Sequence, residues 1–201
     1  MTVGVLALQG DYEAHARTLR ALGVPAREVR RCADLEDLAG VVLPGGESTT
    51  LLKLMGDAPW FDALRAFHGR GGALFGTCAG AILLARRVVP DQPSLGLLDA
   101  VIARNAYGRQ AESFEAPVET NDALGPLAGV FSRAPRFREV GPGVAVLARF
   151  EGEPVSVREG SVLAATFHPE LSGSTGLHQL FLEMVNQART RVPSASMAGV
   201  S

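Results

Sequence analysis

Cys78 stands in Gly76-Thr77-Cys78-Ala79-Gly80, a Gly-x-nucleophile-x-Gly pattern in which a sharp strand-to-helix turn exposes a reactive side chain above a sheet. Apolar Ala73-Leu74-Phe75 precedes it and Ala81-Ile82-Leu83-Leu84-Ala85 follows, as a strand and a helix would. The flanking glycines allow the close approach that a strained central residue requires. A thiol at a helix N-terminus is biased toward thiolate, and the Ala79 amide can stabilise the oxyanion formed when a carbonyl is attacked. The bland alternative is a structural cysteine beside a tight turn. The paired glycines between strand and helix favour the reactive reading.

A thiolate needs a proton shuttle. Phe167-His168-Pro169-Glu170 supplies a histidine with a carboxylate two residues on, and in an extended or turning segment such residues can project to one side, so Glu170 can orient the imidazole. His15, His68 and His178 fall in helical stretches without an acid in comparable context, and are expected to be surface or interface residues. Pro44-Gly45-Gly46-Glu47-Ser48 forms a third constellation. Its glycines can turn backbone amides toward an oxyanion, and Ser48 is expected to cap the following helix.

These residues must be placed by a repeating strand-turn-helix rhythm. Val3 to Leu8 predicts a first strand, Tyr12 to Leu22 a helix, Val24 to Val29 a second strand and Gly40 to Leu43 a third. Helices follow through Leu51 to Met55 and over Trp60 to His68. Parallel strands with crossover helices are implied, so ligands should bind beyond the carboxyl ends of the strands, where Gly10, Gly46 and Cys78 meet. From Leu97 to Arg158 short apolar or alternating segments predict an antiparallel extension of the sheet. Val162 to Phe167 returns as a core strand and Gly176 to Arg189 as a closing amphipathic helix. We expect one domain over 1–192 and a disordered tail over 193–201.

With 47% hydrophobic, 20% charged and 6% aromatic residues, the 201-residue chain has the composition of a soluble globular protein with an aliphatic core. A net charge of −2 with dispersed arginines gives no footprint for nucleic acid. The N-terminus has no basic n-region, and no apolar run is long enough to span a membrane, so a cytoplasmic location without membrane association is expected. Two cysteines in unlike contexts, Cys32 and Cys78, support neither a disulfide framework nor a zinc cluster.

The Cys78 turn together with Phe167-His168-Pro169-Glu170 resembles the class I, triad-type glutamine amidotransferases, over nearly the whole chain. More narrowly, Gly4 to Gly10, Pro44 to Thr49, Arg104-Asn105-Ala106-Tyr107-Gly108-Arg109-Gln110 and Ser113-Phe114-Glu115 resemble the glutaminase subunits of pyridoxal 5'-phosphate synthase. The resemblance implies an α/β fold, a three-layer flavodoxin-like open sheet, mostly parallel with an antiparallel extension. It implies Cys78 as nucleophile with His168 and Glu170, an oxyanion hole at Gly46 and Ala79, and glutamine contacts at Gly46, Glu47, Ser48, Arg104, Ser132 and Arg133. Serine at 132 is a departure, since the family usually has an apolar residue there. Arginine suits an α-carboxylate, and carboxyl or carbonyl oxygens suit an α-ammonium.

The covalent route so implied needs no metal or redox cofactor. Ammonia would pass to a separate synthase subunit in a large hetero-oligomer, whose docking would act through Gln9, Gly10, Asp11 and Gly45. Two other classes fit parts of the pattern. One is another cysteine hydrolase on this scaffold, a peptidase or γ-glutamyl hydrolase; the other is a non-enzymatic redox or binding protein.

Overall fold

Apolar runs leading into glycine-bearing turns generate β1 (Val3–Leu6), β3 (Gly40–Leu43) and β4 (Ala73–Thr77), while β2 (Ala26–Val29), half of it charged, is the edge strand beside β1. The structure is a computed structural model and describes residues 1–104, 113–120 and 124–191. The expected tail at 193–201 and residues 105–110 of the arginine-bearing motif lie outside the described residues.

Helices α1 (Tyr12–Ala21), α2 (Ser48–Met55), α3 (Trp60–Gly69), α4 (Ala79–Leu84) and α5 (Gly176–Arg191) alternate with the strands. The remaining strands are β5 (Ala85–Val89), β6 (Leu98–Ala103), β7 (Phe114–Thr120), β8 (Leu127–Phe131), β9 (Arg136–Val140), β10 (Ala145–Phe150), β11 (Glu153–Glu159) and β12 (Val162–Ala165). Among the described residues a nine-stranded sheet runs β2-β1-β3-β4-β12-β11-β10-β7-β8, and a separate three-stranded sheet runs β5-β6-β9. The first five strands of the larger sheet are parallel, and the pairings that follow, from β12 through β11, β10 and β7 to β8, are antiparallel.

The pleat divides the core into two apolar layers. Val41, Leu43 and Leu74 face α2, α3 and α4 through Leu51, Met55, Trp60, Leu64, Phe67 and Ile82. Val42, Ala73 and Phe75 face α1 and α5 through Leu19, Leu177, Phe181 and Val185. Each buried Val, Leu, Ile, Phe or Met among them stabilises the fold by about 1.5–3 kcal/mol relative to leaving it exposed. The result is the expected three-layer open sheet with its antiparallel extension. The second sheet was not expected; it packs Val88, Leu98, Ala100, Ile102 and Phe137 into the α2–α4 layer.

Register aligns the strand ends that matter. Leu43 pairs with Gly76 and Thr77 pairs with Ala165, so the segments leaving β3, β4 and β12 emerge side by side at one edge. The segment leaving β1 joins them, because Val5 pairs with Val42. Among the described residues, no helix is long and apolar enough to cross a membrane.

Candidate active site

Cys78 occupies the single-residue joint between β4 and α4, with φ 47° and ψ −103°. That is a left-handed backbone for a residue with a side chain, a strain that persists only where its surroundings over-determine it. They do. The Cys78 amide donates to the Ala165 carbonyl at 2.9 Å, and the Cys78 carbonyl accepts from the Ile82 amide at 3.1 Å. A Cβ on Gly76 would come within 2.5 Å of the Gly80 backbone, and one on Gly80 would collide with the Leu43 carbonyl. The two glycines therefore let α4 start directly on the sheet edge, with the thiol at its N-terminus.

His168 follows β12 and is fixed from a second direction, since its amide donates to the Val130 carbonyl at 2.9 Å. A 3-10 turn over Pro169–Leu171 brings Glu170 back beneath it. His168 Nδ1 lies 2.8 Å from Glu170 Oε1, which assigns Nδ1 as the protonated nitrogen and leaves Nε2 to exchange protons. Burial opposes charge on His168, but hydrogen bonds to Cys78 and Glu170 and the charges of both outweigh it, raising the imidazole to about 10. Burial also disfavours the Glu170 carboxylate, yet His15 first and His168 second hold it well below the usual carboxylate range.

The expectation that His15 and His178 lie at the surface is corrected, because both are fully buried. His15 Nδ1 is 2.9 Å from His178 Nε2, and His15 Nε2 is 3.1 Å from Thr77 Oγ1 and 3.3 Å from Glu170 Oε2. The signal for burial was in the helices themselves. His15 stands four residues before buried Leu19, and His178 three before buried Phe181, a spacing that puts each on the sheet-facing side. His68 is half-buried and bonds the Gly72 carbonyl at 3.2 Å.

Gln9 organises the glycine turn after β3. Its Nε2 donates to the Gly45 carbonyl at 3.1 Å and its Oε1 accepts from the Glu47 amide at 3.2 Å. Gly46 adopts φ 125°, and a Cβ there would strike the Gln9 amide. Gly45 is buried, and a Cβ on it would overlap the His168 ring, so this turn packs flat against the imidazole. Gly10 and Asp11 are exposed, with Asp11 Oδ2 3.8 Å from His168 Nδ1.

A cavity of about 220 Å³ joins these parts, lined by Gly46, Glu47, Ser48, Cys78, Arg104, Ser113, Ser132, Arg133 and His168 among others. Ala79 is buried beside it as the first residue of α4. Ser48 does not cap α2. Glu47 is the N-cap, with its side chain accepting from the Thr49 amide at 3.5 Å, while the Ser48 hydroxyl donates to Gln92 Oε1 at 3.1 Å. Arg104 donates to the same Gln92 oxygen at 2.6 Å and to Ser48 Oγ at 3.3 Å. Gln92 was missed because a glutamine in a loop carries no local signature. Arg133, at φ 45°, holds its guanidinium 3.7 Å from Glu47 Oε2 at the exposed rim.

Asp11, His168 and Glu170 bring possible metal-ligating atoms within 4.8 Å of one another. His168 Nδ1 and Glu170 Oε1 already bind each other, and a cation would have to break that pair. The arrangement suits covalent acyl chemistry: a cysteine at a helix N-terminus, a carboxylate-oriented imidazole, a glycine turn, and two arginines lining the same cavity.

The model of the SNO glutamine amidotransferase family matches residues 5–187. A Thermus thermophilus protein named pyridoxal 5'-phosphate synthase subunit PdxT is 55% identical over 185 residues, covering 90% of this chain and 96% of that one. A Deinococcus radiodurans protein of the same name is 49% identical over 193 residues, covering 93% and 98%. A solved structure described as a glutamine amidotransferase superposes with a TM-score of 0.87 at 52% identity, covering 92% of this chain and all of that one. The fold is shared more widely, as with the structure of PurLQS from Thermotoga maritima, TM-score 0.70 at 17% identity over 90% of this chain and 97% of that one.

Proposed function

The chain belongs to the SNO glutamine amidotransferase family, and on that premise we propose that Cys78, His168 and Glu170 carry out its reaction. The chain is a glutaminase: it hydrolyses L-glutamine to L-glutamate and supplies the ammonia for pyridoxal 5'-phosphate synthesis. The observation that carries the residue assignment is the strained Cys78 joint facing an imidazole that Glu170 holds at 2.8 Å.

In this reading glutamine enters the cavity with its side-chain amide at Cys78. Its α-carboxylate meets Arg104 and Arg133, and its α-ammonium meets the oxygens of Glu47 and the Ser48 and Ser132 region. The Cys78 sulfur bonds to the amide carbon, and the developing oxyanion is stabilised by the amides of Gly46 and Ala79. The carbon–nitrogen bond breaks as His168 gives its Nε2 proton to the leaving nitrogen, releasing ammonia. Water then attacks the γ-glutamyl thioester, His168 takes its proton, and the thiolate leaves with glutamate free. One water is consumed and no electrons are exchanged.

The ammonia acceptor is the synthase subunit, and we place the two in a large cytoplasmic hetero-oligomer without nucleic acid. Docking is assigned to Gln9, Gly10, Asp11 and Gly45, since Gln9 clamps both sides of Gly46 and so sets where the Gly46 amide points. The test is glutamate release from glutamine, with and without the synthase subunit, beside a Cys78→Ala control. Release that depends on both the partner and Cys78 supports the assignment. No turnover with a competent partner bound, or full turnover by Cys78→Ala, rejects it.

A further inference from the structure

Glu170 presents one carboxylate oxygen to His168 and the other to the protein interior. The second, Oε2, is buried and meets no well-aligned hydrogen-bond donor among the described residues. Its ion-pair contact is His15 Nε2 at 3.3 Å. The better alignment of that nitrogen is with Thr77 Oγ1 at 3.1 Å, so we take the contact with Glu170 as electrostatic. The proton on Nε2 is assigned from these partners, because an ionised carboxylate can only accept.

His15 is itself held. Its Nδ1 meets His178 Nε2 at 2.9 Å, and the Phe75 ring stands edge-on to both imidazoles at 6.0 and 5.6 Å. The groups facing His15 are thus Glu170 from the 3-10 turn, Thr77 and Phe75 from β4, and His178 from α5. His15, Thr77 and His178 are all at 0% exposure. His178 Nδ1 is buried with no hydrogen-bond partner among the described residues. Such polar groups weaken an apolar layer that leucines could fill without loss. What the fold obtains in return is a rigid polar chain ending on the carboxylate that orients His168.

We propose that His15 is a positioning residue for glutamine hydrolysis. It ties the inner oxygen of Glu170 to the hydroxyl of Thr77, the residue before the nucleophile, and so fixes the Glu170–His168 pair relative to the Cys78 turn. His178 sets the orientation of the His15 ring. The role rests on the triad proposed above and extends it by two residues from helices that do not line the cavity.

The test compares His15→Leu and His15→Gln with the unaltered chain, each bound to the synthase subunit. His15→Leu should lower kcat for glutamate release about tenfold or more, with KM changed less than about twofold, because the defect lies behind the reacting groups. The acid limb of kcat/KM should move to higher pH. Without His15 the buried Glu170 takes up a proton more readily, and His168 then loses its acceptor sooner as pH falls. His15→Gln keeps a donor near the Nε2 position and should recover most of kcat and the original acid limb.

The proposal is overturned if His15→Leu keeps the original kcat and pH profile, or if its loss matches only the loss of folded chain by circular dichroism and His15→Gln recovers nothing. Labelling with a glutamine-derived diazoketone separates this role from the triad itself. Labelling at Cys78 beside an unimpaired His15→Leu sinks the positioning role alone, whereas failure to label Cys78 in the unaltered complex sinks both.

Discussion

Replacing Glu170 by Gln keeps the side chain's shape and removes its charge. His168 is raised from 6.5 to about 10 against the opposition of burial, by hydrogen bonds and charges from Cys78 and Glu170. That rise corresponds to about 5 kcal/mol in favour of the imidazolium, at about 1.36 kcal/mol per pH unit. If the two partners contribute comparably, neutralising Glu170 withdraws about 2 kcal/mol, so the imidazolium gives up its proton about 1.5 pH units sooner and the rate above that new value falls by up to roughly 30-fold. KM should stay within about twofold, since Glu170 sits behind His168 and is not among the residues lining the cavity. The alkaline limb of the rate profile should also move to lower pH, because the imidazole loses its proton earlier. The assay is steady-state glutamate release by the chain with its synthase subunit between about pH 6 and 10, the interval set by the two imidazole values. A Glu170→Gln enzyme with kcat within twofold of the original all the way to about pH 10, or one altered in KM alone, would refute the reasoning.

Three further outcomes are expected. Burial first, then the neighbouring His15, lowers His178 to about 3, so between that value and about 6.5 the unfolded chain binds the extra proton and stability falls as pH drops. Urea unfolding at about pH 6.5 and 5 should show a loss of about 2 kcal/mol that His178→Gln lacks; an identical pH slope in both proteins would oppose this. Gly80→Ala drives a Cβ into the Leu43 carbonyl and should cost about 3 kcal/mol or more, read as a lowered thermal midpoint; an unchanged midpoint would mean that α4 can shift away from β3 freely. Gln92→Ala frees both Arg104 and Ser48 and should raise KM for glutamine about tenfold, the worth of about one charge-assisted hydrogen bond, with little change in kcat. A kcat effect without a KM effect would remove Gln92 from substrate positioning.

Much of this was legible because it is local. A strand, a glycine turn and a helix are adjacent in sequence, so Gly76 to Gly80 announces its own geometry, and His168 and Glu170 are two residues apart. The parallel half of the sheet follows from the same rhythm. Features made by distant pairing were less legible. β5, β6 and β9 form a second sheet through contacts such as Ile102 with Phe137, and short segments with mixed alternation do not state which sheet they will join. His15 and His178 are 163 residues apart yet bond at 2.9 Å; their polarity suggested water, but one another and Thr77 supply partners inside the fold for their ring nitrogens, His178 Nδ1 excepted. Ser48 read as a cap by residue type, but Gln92 and Arg104 compete for its hydroxyl, leaving the cap to Glu47.

The central claim is that Cys78 becomes acylated by glutamine. The direct measurement is rapid acid quenching of the chain turning over glutamine with its synthase subunit, followed by intact-mass and peptide analysis. Expected is an adduct equal in mass to glutamine less ammonia, located on Cys78 and absent from Cys78→Ala. Steady glutamate release with Cys78 unmodified, or with the adduct on another residue, would contradict it.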